Sequence, residues 1–417
     1  MKAMVIGLSP EYNYPGNYKK WLTNNTYYAG NHGASLICRS IMKQFKADYI
    51  DNFSDLNSLN NEYDVCFMAL ATHVHRWRDI SFFSDIAEKL DMKIIVLSLG
   101  IQDYEQVPSS MINLHPSILK LLNIASERSK LIGVRGHYTA SILYRLGYKN
   151  VVPIGCPSLY WNMSEELEIN KPTDFTNPLV VYHRTIAPYG DDILKHIAIL
   201  GQDYEDELMF TNNLENDYVL KDIIHTYYNK LKNKNLILDN IKNNGIFPRN
   251  FESWFNVISK HDFVLGPRLH GCIAALIQGI PAVLIPRDIR VKEMSEFYSI
   301  PTVKFEELNR ISISDIYSRL DYSDFNRKYK CRYNNYIEFL NENEIEHILP
   351  SDEAVNGFSF SYEDMESNYK IWNSYIEDSI ENNAGYIIYN RIKGIYRNIS
   401  SILINIKKHF KKIIKLR

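Results

Sequence analysis

The runs AMVIGL (3–8), DVCFMALA (64–71) and KIIVLSLG (93–100) are apolar almost without interruption. A strand with one wet face alternates apolar and polar residues. These segments do not alternate, so they read as strands buried on both faces, the signature of a parallel sheet covered by helices. LIGVRG (131–136) and VVPIG (151–155) continue the series. Between them lie segments of helical period: GASLICRSIMKQF (33–45), ISFFSDIAEKL (80–90), SILKLLNIASERS (117–129) and YTASILYRLG (138–147), the last closing on Gly147. Strand–helix alternation of this kind predicts a doubly wound α/β fold.

At 417 residues the chain exceeds one hydrophobic core, so at least two domains are expected. NMSEELEINKPTDFTNP (162–178) is polar, acidic and contains two prolines, and it reads as a linker. A second α/β set follows, built from LVVYHRT (179–185), ILKHIAIL (193–200), DELMFTN (206–212), a helix at 216–232, LILDN (236–240), FESWFNVIS (251–259), FVLG (263–266), GCIAALIQG (271–279) and AVLIP (282–286). The expected layout is two Rossmann-like domains facing a cleft, 1–165 on the acceptor side and 178–310 on the donor side. A helical extension (311–382) and a basic segment (383–417) follow.

That last segment stands apart. From Arg391 onward there are nine Lys and Arg and no Asp or Glu, which leaves the rest of the chain at a net −11. Ile395, Ile399, Ile402, Ile406, Phe410, Ile413 and Leu416 recur at three- and four-residue spacing. A basic amphipathic helix is the pattern of a segment lying on an anionic membrane surface. The alternatives are a helix packed on the acidic body or an oligomer contact, and a nucleic-acid partner is not expected. The five cysteines are scattered and never at C-x-x-C spacing, which argues against a disulfide framework or zinc site and suits a reducing compartment. No apolar stretch reaches the length of a membrane span. The expectation is a cytoplasmic protein held at the inner face of the membrane.

The stretch FVLGPRLHGCIAALIQGIPAVLIP places Arg268 and His270 between a strand and a helix. In open parallel sheets the carboxyl ends of strands are where ligands bind. This stretch with RVKEMSEFYSIPTV (290–303), and LIGVRGHYTASILYRLGYKNVVPIGCPSLYW (131–161), resembles the polysaccharide pyruvyltransferase family. The likeness is tightest over 131–161 and 255–303 and loosely co-linear from 24 to about 310. It implies a GT-B-like fold and transfer of a pyruvyl group from phosphoenolpyruvate to sugar hydroxyls of a cell-surface polysaccharide, capsule or exopolysaccharide, or of its lipid-linked precursor. It requires no metal and no cofactor beyond that donor.

What the likeness implies for individual residues fits their chemistry. Arg grips phosphate or carboxylate in a bidentate way, and His titrates near neutrality. His270 would be general acid or base, and Arg268 would hold the donor anion, with Gly266, Arg135, Arg184 and Lys292 as further donor-side residues. YYAGNHGASLI corresponds to the family's G-N-x-G-D-x-L turn, so Gly30, Asn31, His32 and Gly33, with Cys156, fall on the acceptor or anion side. Ala34 and Cys156 stand where the family usually has acids. ALATHVHRW (69–77) replaces a glycine-rich strand end and brings in His73 and His75, while His183 ends a strand beside Arg184. Plain alternatives remain: Arg268 pairing with a carboxylate, His270 a satisfied helix-start histidine, Lys292 on a solvated face. Two other functions also stay open, a nucleotide-sugar glycosyltransferase of the same shape and a non-catalytic scaffold in glycan assembly.

Overall fold

The computed structural model describes residues 1–11, 31–75, 78–101, 114–189, 194, 197–210, 218–229, 231–350 and 358. The first domain carries β1 (Ala3–Ile6), α1 (His32–Phe45), β2 (Asp48–Tyr49), α2 (Leu56–Glu62), β3 (Val65–Ala69), α3 (Ser81–Lys89), β4 (Lys93–Leu97), α4 (Pro116–Arg128), β5 (Ile132–Val134), α5 (His137–Arg145) and β6 (Val151–Pro153). All pairings are parallel, in the order β2-β1-β3-β4, with β5-β6 joined on through the Leu99–Val134 bridge. Alternate residues of β1 enter different cores. Ala3 and Val5 face one, Met4 and Ile6 the other, which is why the strand cannot afford a polar position.

The second domain carries β7 (Pro178–Val181), β8 (Ala198–Leu200), α6 (Tyr204–Phe210), α7 (Tyr218–Ile223), α8 (Lys234–Asn244), β9 (Gly245–Ile246), α9 (Phe251–Ile258), β10 (Phe263–Gly266), α10 (Leu269–Leu276), β11 (Ala282–Leu284) and α11 (Ile289–Tyr298). Its parallel sheet runs β11-β10-β7-β8-β9. Residues 206–210 of DELMFTN fall in α6 and LILDN falls in α8, while 211–212 lie outside the described residues. Among the described residues, the two-residue β9 closes that edge.

The two sheets share one core. Buried residues run continuously from β1 and α1 through Tyr160 to α10 and β10. Beyond the second sheet, α12 (Ile313–Ser318) and α13 (Ser323–Glu342) return the chain to the first domain. Tyr336 of α13 stacks on Tyr160 with ring centroids 4.8 Å apart, and its hydroxyl donates to Gln44 Oε1 at 2.9 Å. Among the described residues no helix is long and apolar enough to cross a membrane. The basic segment 383–417 lies outside the described residues.

Candidate active site

Three strands of the second sheet end in basic side chains: β7 runs into His183 and Arg184, β10 into Arg268, β11 into Arg287. β7 and β10 are neighbours whose onward connections lead to opposite halves of the sheet. The crevice at such a switch point is where open α/β sheets take ligands. Gly266 closes β10 with φ +151°, and a Cβ there would lie 2.3 Å from Val181 O. Only glycine lets the two strand ends sit this close.

Arg268 is the N-cap of α10 and is buried. Its Nε donates to Tyr182 O at 2.8 Å, and its Nη2 reaches Asp203 Oδ2 at 2.5 Å and Asp206 Oδ2 at 2.6 Å. Burial favours protonation of both acids. Arg268 and Arg184 outweigh this at Asp203, whose pKa lies below the ordinary carboxylate value, whereas Asp206, more deeply enclosed and beside Asp203, is raised. Arg184 pairs with Glu205 and lies over the Tyr227 ring, 5.2 Å from its centroid.

Across the junction stands Arg135, 1% exposed at the end of β5. Its Nε donates to Ser98 O at 3.2 Å and Ser98 Oγ at 3.3 Å, while its buried Nη2 has no hydrogen-bond partner among the described residues. Gly100 makes room for it, since a Cβ there would lie 2.6 Å from Arg135 Cδ. Near it His270 Nε2 stands 3.6 Å from Cys156 Sγ, which also accepts from Ser158 Oγ at 3.0 Å. Burial, then Arg135 and Arg290, hold His270 well below the ordinary histidine pKa, so it is neutral at pH 7. Arg290 is gripped by Asp288, with Nη2 to Oδ2 at 2.6 Å, and Asp288 in turn caps α11.

A sequence profile of the polysaccharide pyruvyl transferase family matches residues 31–289, more than half of the chain. The chain belongs to the polysaccharide pyruvyl transferase family. It is therefore a member of a transferase family, with two parallel α/β sheets as expected. No curated protein matches the chain. Among solved structures it is similar to the Methanocaldococcus jannaschii UDP-GlcNAc 2-epimerase in complex with UDP-GlcNAc and UDP, at 14% identity over 81% of this chain and 100% of that one, TM-score 0.41. The S. aureus MnaA–UDP structure stands at 12% identity over 85% and 100%, TM-score 0.40. The Neisseria meningitidis UDP-GlcNAc 2-epimerase bound to UDP-GlcNAc stands at 12% over 82% and 100%, TM-score 0.39.

In this family member the sequence-derived residues separate into groups. Arg135, Cys156 and His270 come together. Gly33 touches the same place, since a Cβ there would lie 2.7 Å from His270 Cβ and 2.6 Å from Gln202 Nε2. Asn31 caps α1 by accepting from Ala34 N at 2.9 Å and forms a bridge with Asp203. His32 is buried at the domain junction, stacked on Trp254 at 5.5 Å, with Nε2 2.7 Å from Pro248 O. Lys292 lies 3.9 Å from Glu296 one helical turn on, at part-exposed positions. His73 is buried against the Leu70 carbonyl, and burial, with Arg78 and Arg135, lowers its pKa to about 3. His183 Nε2 faces Arg287 Nη1 at 2.5 Å. His75 lies part-buried beyond β3, and Gly30 lies outside the described residues. Asp203, Asp206, Arg287, Arg290 and Glu293 are additions that only the folded chain supplies.

Proposed function

We propose that this chain transfers the pyruvyl group of phosphoenolpyruvate to hydroxyls of a sugar in a cell-surface polysaccharide or its lipid-linked precursor. The observation that supports this reading is the buried Arg135 Nη2, without a hydrogen-bond partner among the described residues, beside a neutral histidine. A buried unpaired cation is costly unless an anion completes it. The donor offers a phosphate and a carboxylate, and Arg135 with Arg290 supplies cations from either side of the junction. Arg268 is held by Asp203 and Asp206 and Arg290 by Asp288, so both bring partly offset charge and Arg135 contributes most of the pocket's charge.

The chemistry then follows from His270. Neutral in the ligand-free protein, it takes the proton of the attacking hydroxyl. A donor anion between Arg135 and Arg290 offsets their field and raises the imidazole's proton affinity enough for it to take that proton, which it then delivers to the methylene carbon. The hydroxyl oxygen bonds to C2, and a second hydroxyl displaces phosphate, which leaves with that hydroxyl's proton. One donor and one diol give one ketal and one phosphate. Cys156, Asn31 and Gly33 line the side from which the acceptor approaches, and the basic segment 391–417 would hold the enzyme beside membrane-borne acceptors.

The test is the ketal-linked pyruvate content of the surface glycan in cells lacking the gene and carrying either wild type or His270→Ala. Wild type should restore it and His270→Ala should not. Full restoration by His270→Ala points to a scaffold, and a lost sugar rather than lost pyruvate points to a glycosyltransferase.

A further inference from the structure

One buried carboxylate joins the two halves of the anion pocket. Glu293, 3% exposed, lies on α11 three residues after Arg290. Its Oε1 accepts from Thr139 N at 2.6 Å and its Oε2 from Thr139 Oγ1 at 2.9 Å. Thr139 is in the first turn of α5, four residues after Arg135. That helix has Gly136 as its N-cap and no side-chain cap of its own, so Glu293 supplies one from the other domain. Gly136 is what admits it, since a Cβ there would lie 2.6 Å from Glu293 Cγ.

Packing alone does not account for a carboxylate here. Burial raises its pKa to about 7 against the pull of both Thr139 bonds, so a carboxylate is costly to hold here. Its position does account for it: the clamp fixes the helix start that follows Arg135 against the helix that carries Arg290. We infer that Glu293 is a positioning residue that sets Arg135 and Arg290 at the spacing an anionic ligand needs, without touching the ligand. This rests on the reading of those two arginines as ligands of the donor anion.

Calorimetric titration of the full chain with phosphoenolpyruvate, and separately with inorganic phosphate, tests it. Glu293→Ala should weaken binding by about tenfold or more. Glu293→Gln, which keeps an acceptor for Thr139 N and offers Thr139 Oγ1 a donor, should restore affinity to within about threefold. Affinity unchanged in Glu293→Ala overturns the inference. So does Glu293→Gln failing as badly as Glu293→Ala, because the charge and not the geometry would then matter. If Glu293→Ala does not fold, Thr139→Val removes one of the two bonds and should weaken binding in the same direction, and no change there overturns it. Wild type that binds phosphate but not phosphoenolpyruvate sinks the donor assignment while the clamp is still read on phosphate. Wild type that binds neither sinks both.

Discussion

Cys156 Sγ and His270 Nε2 face each other at 3.6 Å across the domain junction, the thiol from the first domain and the imidazole from the second. Neither residue can be placed by its own domain alone. The thiol lies beside the imidazole in a field set by Arg135 and Arg290.

Cys156→Asp should therefore change the pH dependence of the reaction. A carboxylate at that position offsets the two arginines and raises the His270 pKa. A base must be neutral to work, so the acid limb of the kcat/KM profile should move to higher pH. An unmoved profile would mean that His270 is not the titrating base.

Arg135→Met should separate stability from binding. The wild-type side chain is buried with one nitrogen unpartnered among the described residues, and burial lowers its pKa. Removing the charge should leave the unfolding free energy unchanged or raise it by about 1 kcal/mol, while weakening anion binding by about a hundredfold. Denaturant unfolding beside calorimetry checks both halves. A large loss of stability would assign Arg135 to the framework instead.

His32 predicts an acid-sensitive junction. Burial lowers its pKa from 6.5 to about 4, so the fold accommodates the neutral ring stacked on Trp254. Its contribution is complete above pH 6.5 and is lost as the pH falls toward 4, amounting to at most about 3 kcal/mol. His32→Gln should flatten the fall in urea midpoint between neutral and mildly acid pH. Parallel curves for wild type and variant would contradict this.

The C-terminal segment gives a membrane prediction from sequence alone. Deleting 383–417 should abolish sedimentation with anionic vesicles at low salt, and full-length binding should weaken as salt rises. Binding that survives the deletion would place the membrane contact elsewhere.

The sequence carried the architecture because β1 and β3 are buried on both faces and show it as unbroken apolar runs. It also placed Arg135, Cys156 and His270, whose motifs end strands or begin helices. It did not distinguish Arg290 from Lys292. Two residues on a helix differ by about 200° in direction, and only packing decides which one turns toward Arg135. Nor did it expose Asp203 and Asp206, because Arg268, which pairs with both, lies 62 residues beyond Asp206 in the chain. LILDN was ambiguous for a related reason: short apolar runs fit strand and helix alike, and Ile237 and Ile241, one turn apart, are the buried pair.

The most direct test of the central claim is ligand-induced stabilisation of wild type and Arg135→Ala by phosphoenolpyruvate, against a panel of nucleotide sugars. A ligand at a hundredfold excess over its Kd should stabilise the folded chain by about 2.7 kcal/mol. Phosphoenolpyruvate should raise the melting temperature of wild type and not of Arg135→Ala, with nucleotide sugars inert. Stabilisation by a nucleotide sugar and none by phosphoenolpyruvate would contradict the account and make the pocket that of a glycosyltransferase.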